Sequence, residues 1–468
     1  MESIYLCSRS RNIAVACILI LGSFGCKKFV EIPPPQTSLT NSAVYTTSST
    51  ANAAQLAIYQ QMFTANFSFA LSLYTGLSSD EFTNYSTASA NIQLYVNGLT
   101  NTNTNTQAIW TNLYKLIFQS NAVIEGAATS GGIGTALKRQ LTGEAEFMRA
   151  YLYFYLTNLY GNVPLITSTN YENSASASRT SKSQVYQQMI TDLLEAETLI
   201  NANYVQADGV TIGTDRVRPN KFACNALLAR IYLYLGQWAD ATRQSDTVIN
   251  NSTMYSLLSS LGSVFLKTNN TEAIFQVMGP PYNTVDGVNF ILTTTPGQVA
   301  ISPQLINSFD SGDNRKKNWV SSVTVGSKVY YYPFKYKVGN STSAISEYCM
   351  MMRLAEQYLI RAEAKVQLGD NDGINDLNVI RKRAGLPNYS GGLDKASLLT
   401  AIAHERQVEL FSEEGHRWLD LKRMGYIDSV MSMVTPSKSG KWITTQQLWP
   451  IPQVDRGSNA NLSQNPGY

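Results

Sequence analysis

The chain reads NKFACNALLARIYLYLGQWADA from Asn220 to Ala241. Apolar residues recur in it at three- and four-residue steps on more than one side, which predicts a helix at residues 220–235 that is buried on most sides. Gly236 should end this helix, because glycine readily adopts the left-handed conformation that closes a helix C-terminus. Small residues after Trp238 allow a second helix to pack closely on the first. The pattern is typical of a tetratricopeptide-type helical hairpin.

A second hairpin of this kind is predicted from a helix at residues 355–368, through Gly369, to a helix at residues 373–383. The same periodicity predicts earlier helices at residues 51–63, 108–127, 136–160 and 185–200. Between the hairpins, at about residues 255–348, periodicity is lost and glycine, proline, asparagine and β-branched residues dominate. We therefore predict an all-α, tetratricopeptide-type helical-hairpin scaffold with an inserted loop-rich, partly β region, where we expect function to lie.

The N-terminal segment has the features of an export signal. An arginine-containing start precedes an apolar run, residues 13–24, that is too short to span a bilayer, which needs ~20 residues. Cys26 follows small residues, which predicts a signal peptide at residues 1–25 and an acylated cysteine that anchors the protein. Residues 26–49 would form a proline-containing tether, and residues 50–468 the body. The alternative is cleavage at another position, with Cys26 incidental.

Composition limits the kinds of partner. Only 15% of the residues are charged and the net charge is +3, which leaves no basic stripe, so we expect no nucleic acid partner. The 27 tyrosines combine flat apolar rings with polar tips, which suit sugars, peptides and core edges alike. Apart from Cys26 and the signal segment, the cysteines are Cys224 and Cys349. Their apolar surroundings favour buried free thiols, although a disulfide stays open.

The chain lacks the motifs of common enzymes. It has two histidines and no HExxH, GxSxG or P-loop pattern, so we predict no catalytic role, no metal and no cofactor. Glu405 and Glu409 share a helix face, as a pair of glycosidase acids would. Basic residues alternate with the acids there, however, which is typical of a structural ion-pair network. We predict a packing role for His404 and a scaffold role for the acidic cluster, which comprises Glu405, Glu409, Glu413, Glu414 and Asp420.

Several motifs occur along the chain in the order of one family. GEAEFMRAY begins at Gly143, YGNVPL at Tyr160 and RLAEQYLIRAE at Arg353, and the chain closes with LWPIP and QNPGY. With the Cys26 segment, these motifs resemble the SusD/RagB outer-membrane lipoproteins over essentially the whole mature chain. The resemblance implies a lipid-anchored protein at the outer-membrane surface that captures oligosaccharides for a SusC-like TonB-dependent transporter. Some relatives take peptides instead.

A glycan site needs exposed aromatic rings beside polar side chains, because a sugar stacks its C–H face on a ring while its hydroxyls form hydrogen bonds. Two stretches fit this requirement. The first contributes Asp80, Tyr85, Asn91 and Tyr95. The second contributes Tyr282, Asn283, Arg315 and Trp319. We expect the two stretches to form one site, with Trp319 and Tyr282 near Tyr85 or Tyr95. For each single aromatic, burial in the core is the alternative.

We predict a glycan-binding lipoprotein without enzymatic activity. Peptide capture is the nearest alternative, since a low surface charge favours neutral ligands without excluding peptides. A surface glycosidase would need an uncompensated carboxylate pair in one cleft. A purely structural lipoprotein would have an insertion without exposed aromatic residues.

Overall fold

The computed structural model describes residues 41–268, 270–279, 283–340 and 342–468. Cys26, the predicted signal peptide and most of the predicted tether lie outside these residues. The chain divides into a short N-terminal unit, Met1–Val44, and a body, Tyr45–Tyr468. In the N-terminal unit one helical turn, α1, is described at Asn41–Val44.

The body is built mainly from helices. In chain order they are α2 (Ser48–Thr64), α3 (Phe67–Ser78), α4 (Ser89–Tyr95), α5 (Thr104–Thr129), α6 (Thr135–Tyr160), α7 (Tyr171–Ala175), α8 (Lys182–Leu199), α9 (Lys221–Leu235), α10 (Trp238–Ile249), α11 (Val285–Phe290), α12 (Pro303–Ser308), α13 (Asn314–Trp319), α14 (Leu354–Gln367), α15 (Gly373–Arg383), α16 (Lys395–Leu410), α17 (His416–Arg423), α18 (Ile427–Ser437) and α19 (Gln453–Ser458). Polar side chains cap the N-termini of several of these helices. Thr47, Asn103 and Asn220 accept hydrogen bonds from backbone N–H groups in the first turns of α2, α5 and α9.

The strands are short and lie in three two-stranded antiparallel sheets. They are β1 (Phe82–Asn84), β2 (Ala273–Val277), β3 (Val299–Ile301), β4 (Val320–Val325), β5 (Lys328–Pro333) and β6 (Cys349–Arg353). The pairs are β1 with β3, β2 with β6, and β4 with β5.

The helices pack side by side in a continuous array. Neighbours in contact are α5 with α6, α6 with α8, α8 with α9, α9 with α10, α10 with α14, and α14 with α15. In α9 every residue from Ala223 to Leu233 is buried, as predicted for a helix enclosed on most sides. Gly236 ends α9 in the left-handed conformation, at φ 70° and ψ 17°, and Gly369 follows α14 at φ 83°. Both predicted hairpins, α9–α10 and α14–α15, are confirmed.

The predicted insertion joins α10 to α14, and its two end strands pair with each other. In the β2–β6 pair, Val277 lies opposite Cys349, so the chain leaves and re-enters the helical array at one place. The insertion contains the predicted short strands, but it also contains the six-residue helices α11, α12 and α13. These begin at the side-chain caps Thr284, Ser302 and Asp313, and they are too short for helical periodicity to be visible in sequence.

Cys224 and Cys349 are both buried and free, as predicted. Burial raises the pKa of both thiols well above the ordinary value, so neither thiol is ionised at neutral pH. Over the described ranges, none of the helices is long and apolar enough to span a membrane.

Candidate functional site

Strands β1 and β3 bring the N-terminal stretch and the insertion together. Just after β1, the backbone N–H of Tyr85 donates to the carbonyl of Gln298 at 2.7 Å. The Tyr85 ring meets the Tyr330 ring of β5 edge to face, with centroids 5.5 Å apart and an interplanar angle of 78°. The Nζ atom of Lys328 lies 5.3 Å from the Tyr85 centroid and 5.0 Å from the Tyr330 centroid. One cation therefore contacts both rings.

Tyr95, at the end of α4, belongs to the same cluster. The Nζ atom of Lys438 lies 5.0 Å from its ring centroid. Burial raises the pKa of the Tyr95 phenol, and the nearby Tyr85 phenol adds to this effect. Lys438 also donates to the backbone carbonyls of Leu77 and Ser79, and burial lowers its pKa to about 7. Lys438 thus ties Tyr95 to the C-terminal end of α3.

We name this cluster the aromatic surface, and it comprises Tyr85, Tyr95 and Tyr330. All three side chains are half-buried, so each keeps a part that faces solvent. Three half-buried amide side chains lie beside this cluster, namely Asn84, Asn289 and Gln298. Asn84 precedes Tyr85 in the chain, the Gln298 carbonyl accepts from the Tyr85 backbone, and the Gln298 side chain donates to Asn289. Partly exposed rings flanked by amides are suited to stacking and hydrogen bonding with a polyhydroxylated ligand.

Trp319 does not belong to the aromatic surface, and its predicted stacking role is wrong. Its side chain is 0% exposed. The indole N–H donates to the carbonyl of Leu261 at 2.9 Å, and the ring meets Phe265 edge to face at 5.8 Å. A ring without exposed area offers no face to a sugar, so Trp319 is a core residue.

Asp80 and Asn283 are also buried, and their polar groups are used within the protein. Asp80 accepts two hydrogen bonds from the guanidinium of Arg417, at 2.8 and 2.7 Å. Asn283 donates to the carbonyl of Ala344 and accepts from the backbone N–H of Glu347, both at 3.1 Å. The prediction that these two side chains contact ligand is therefore wrong, because neither has a free face toward solvent.

Asn91 and Tyr282 complete the set of predicted site residues. Asn91 is 7% exposed, and its side-chain oxygen accepts from Asn105 at 2.7 Å, so it braces α4 against α5 and does not face ligand. Tyr282 lies outside the described residues. Of the predicted aromatics, Tyr85 and Tyr95 are thus the ones that the structure places together.

Arg315 was also predicted to bind ligand, and this prediction is wrong because the residue is locked in a buried ion-pair network. Its guanidinium lies 2.6 Å from Glu405 and 3.0 Å from Glu409 on α16. Arg353 and Arg383 pair with the other carboxylate oxygen of Glu409. Burial alone would raise the pKa of Glu409, but the three guanidinium groups outweigh it and hold that pKa well below the ordinary value. A glycosidase acid requires the opposite shift and an open cleft.

Two more acids of the cluster are compensated by cations, so the predicted ion-pair network is present. Asp420 pairs with Arg406 and Arg423, both at 2.7 Å. Glu413 pairs with Lys335 and Arg353. Glu414 instead accepts hydrogen bonds from the hydroxyls of Tyr151 and Tyr155. His404 packs through its ring nitrogen, 2.7 Å from the carbonyl of Ser308, as predicted.

A separate pocket of about 640 Å³ lies beside α2. Its wall includes Leu56 and Tyr59 of α2, the segment around Ile212, and Met278. The Tyr59 hydroxyl is already engaged, since it donates to Glu144 at 2.7 Å. This pocket shares no residue with the aromatic surface.

Comparison with known proteins gives the family of this chain. A model described as "SusD family" matches residues 304–468, and a model described as "Starch-binding associating with outer membrane" matches residues 32–233. Together they cover most of the chain. The chain belongs to the SusD/RagB family.

Individual relatives agree with this assignment. SusD-like protein P2 of Formosa agariphila is 26% identical over 417 residues, which cover 77% of this chain and 80% of the relative. The starch-binding protein SusD of Bacteroides thetaiotaomicron is 35% identical over 123 residues, which cover 25% of this chain and 21% of that protein.

Solved structures share the fold. A SusD superfamily protein from Bacteroides vulgatus superposes with a TM-score of 0.79 at 21% identity, covering 90% of this chain and 99% of that one. A laminarin-binding SusD-like protein superposes with a TM-score of 0.75 at 22% identity, covering 91% and 100% of the two chains.

Sequence reasoning missed Tyr330 and Lys328. Short strands are predicted in the insertion, and β5 is found at residues 328–333, but nothing in the sequence there says that Tyr330 faces Tyr85. The missing information was the register of the strands, which places alternate side chains of a strand on opposite faces of the sheet.

Proposed function

We propose that this protein is a cell-surface glycan-binding lipoprotein and that the aromatic surface holds its ligand. The observation that carries the proposal is the contact of Tyr85 with Tyr330, with Lys328 near both rings, in a chain of the SusD/RagB family. A pyranose ring has apolar C–H faces that stack on such rings, while its hydroxyls pair with amides.

The chemistry of the surface favours neutral or weakly charged ligands. The three tyrosines present no fixed charge, and the cation of Lys328 is partly shared between two rings. Two relatives carry names that refer to glucans, namely starch and laminarin. Oligosaccharides derived from these two glucans are therefore the first ligands to test.

The test is calorimetric titration of these oligosaccharides into wild type, Tyr85→Ala and Tyr330→Ala. A stacking aromatic contributes on the order of 1 to 2 kcal/mol, so each variant should bind about fivefold to thirtyfold more weakly. The matched control is Tyr171→Ala, which removes a tyrosine that is 74% exposed on α7 and should bind as wild type does. Unchanged affinity in both test variants, with melting temperatures preserved, would place the ligand elsewhere.

We also propose that the protein is anchored at the outer membrane through an acylated Cys26 and passes its ligand to a SusC-like TonB-dependent transporter. Support comes from the family model described as associating with the outer membrane and from the signal-like segment before Cys26. The tether and the lipid would keep the body close to the membrane while leaving it free to turn.

We propose binding without catalysis. The acids of the cluster around Glu405 and Glu409 are paired with arginines and buried, so they support a scaffold role over a glycosidase. Peptide capture is the remaining alternative. It predicts that Lys328→Ala weakens binding of acidic peptides and that the glucan oligosaccharides give no heat of binding at all.

A further inference from the structure

A second pocket, of about 500 Å³, is lined by three basic side chains that have no anionic partner among the described residues. It lies where the end of α6, the start of α8, the end of α17 and the C-terminal segment meet. The residues that matter are Asn158, Arg179, Lys182, Lys422 and Arg423. None of them belongs to the aromatic surface. The volume is within the range of small-molecule sites, roughly 300 to 1,000 Å³.

The charges of this basic pocket are not balanced. Arg423 is compensated, since it pairs with Glu363 at 2.5 Å and with Asp420 at 2.7 Å. Arg179, by contrast, donates only to neutral acceptors, among them the carbonyl of Asn162 at 2.6 Å and those of the C-terminal segment. Across the part of the chain that the structure describes, no carboxylate lies within ion-pair distance of Arg179, Lys182 or Lys422.

Lys422 is the most constrained of the three. Its Nζ donates to the carbonyl of Asn158 in the last turn of α6, which leaves two of its three N–H donors available. Burial lowers its pKa well below the ordinary value, and the nearby ammonium of Lys182 adds to this effect. A helix C-terminus does attract a cation. That attraction accounts for one hydrogen bond of Lys422 and for the contact of Arg179 with the carbonyl of Tyr160 at 3.5 Å, but it does not account for Lys182 at the same pocket.

We propose that the basic pocket binds an oxyanion, either a free inorganic ion or the acidic group of a charged sugar. The oxygens of an oxyanion would accept charge-assisted hydrogen bonds from the spare N–H groups of Lys422 and Lys182, and the negative charge would balance that of Arg179. This inference does not depend on the function proposed for the aromatic surface, because the two sites share no residue.

The test is equilibrium dialysis with radiolabelled sulfate and phosphate at constant ionic strength, using chloride as the balancing anion. Direct binding is measured because sulfate stabilises most proteins without binding at a specific site. We expect saturable binding of one anion per chain in wild type, weakened about tenfold in Lys422→Met and in Lys182→Met. The control is Lys382→Met, which removes an exposed lysine of α15 and should leave binding unchanged.

Two further measurements distinguish the possible ligands and guard against a variant that does not fold. Glucuronate and glucose are titrated in parallel, so that binding of glucuronate alone identifies a charged sugar and binding of sulfate or phosphate alone identifies a free ion. Lys182→Met removes an exposed side chain and should fold normally even if Lys422→Met does not. Non-saturable binding of sulfate, phosphate and glucuronate alike in wild type, or equal binding of the anion that does bind in wild type and Lys182→Met, would overturn the proposal.

Discussion

Replacing Trp319 with alanine should cost much of the stability of the protein. The side chain is fully buried, and removal of a buried tryptophan costs about 3 to 5 kcal/mol. The substitution also leaves the carbonyl of Leu261 without its donor, which adds about 1 to 3 kcal/mol. Contacts of the ring with the cations of Lys335, at 4.9 Å, and Arg353, at 5.6 Å, are lost as well. Since domains are stable by only about 5 to 15 kcal/mol, we expect a large drop in the urea midpoint.

Urea unfolding followed by circular dichroism measures this cost in wild type, Trp319→Ala and Trp319→Phe. The phenylalanine variant keeps an aromatic ring against Phe265 but loses the N–H group, so it should lose less than half as much stability. The control is Trp442→Ala, which removes a half-exposed tryptophan whose N–H donates to Asp428; it should cost about 1 kcal/mol. If Trp319→Ala keeps the wild-type midpoint but loses glycan affinity, Trp319 is a ligand residue and the core assignment is refuted.

Two further predictions concern pH and membrane attachment. Burial raises the pKa of Glu414 from 4.5 to about 8, although the hydroxyls of Tyr151 and Tyr155 donate to its carboxyl at 2.5 and 2.7 Å. The folded state therefore keeps a proton that the unfolded state releases, and stability should fall as pH rises from about 4.5 to 8. Glu414→Gln should reduce this slope in urea titrations between pH 5 and 8 by the contribution of one proton, since burial also raises the pKa of Glu81, Glu146 and Asp286; an unchanged slope would mean that Glu414 is ionised in the folded protein. Separately, Cys26→Ala should move the protein from the membrane to the soluble fraction of cells, and continued membrane association of that variant would argue against the lipid anchor.

The helical scaffold could be predicted because its signals are local. Apolar spacing identifies α9 and α14, and Gly236 and Gly369 mark the turns that end them. Burial of Cys224 follows from its apolar neighbours in α9. Each of these inferences needs only a few consecutive residues, and the structure confirms them.

The candidate site was harder to predict because polar residues of a buried network and of a binding site look alike in sequence. Arg315 meets Glu405 only after the chain has folded, across some ninety intervening positions, so its partner is invisible to local patterns. Trp319 follows charged residues on α13, which made it look like a surface residue. Tyr330 was missed because its contact with Tyr85 depends on how distant strands are arranged. Pairing between distant segments decides all three cases.

The tip of the β4–β5 hairpin lies beside the proposed ligand surface and outside the packed helical array. It turns through Gly326 at φ 62°, and most of its side chains are exposed, with burial concentrated at Val320 and at the Tyr332–Pro333 end. Substitutions near its tip should therefore leave the packing of the helical array unchanged, while they alter the side chains that face Tyr85. Under the function proposed above, exchanging this hairpin between relatives should change ligand preference without unfolding the protein.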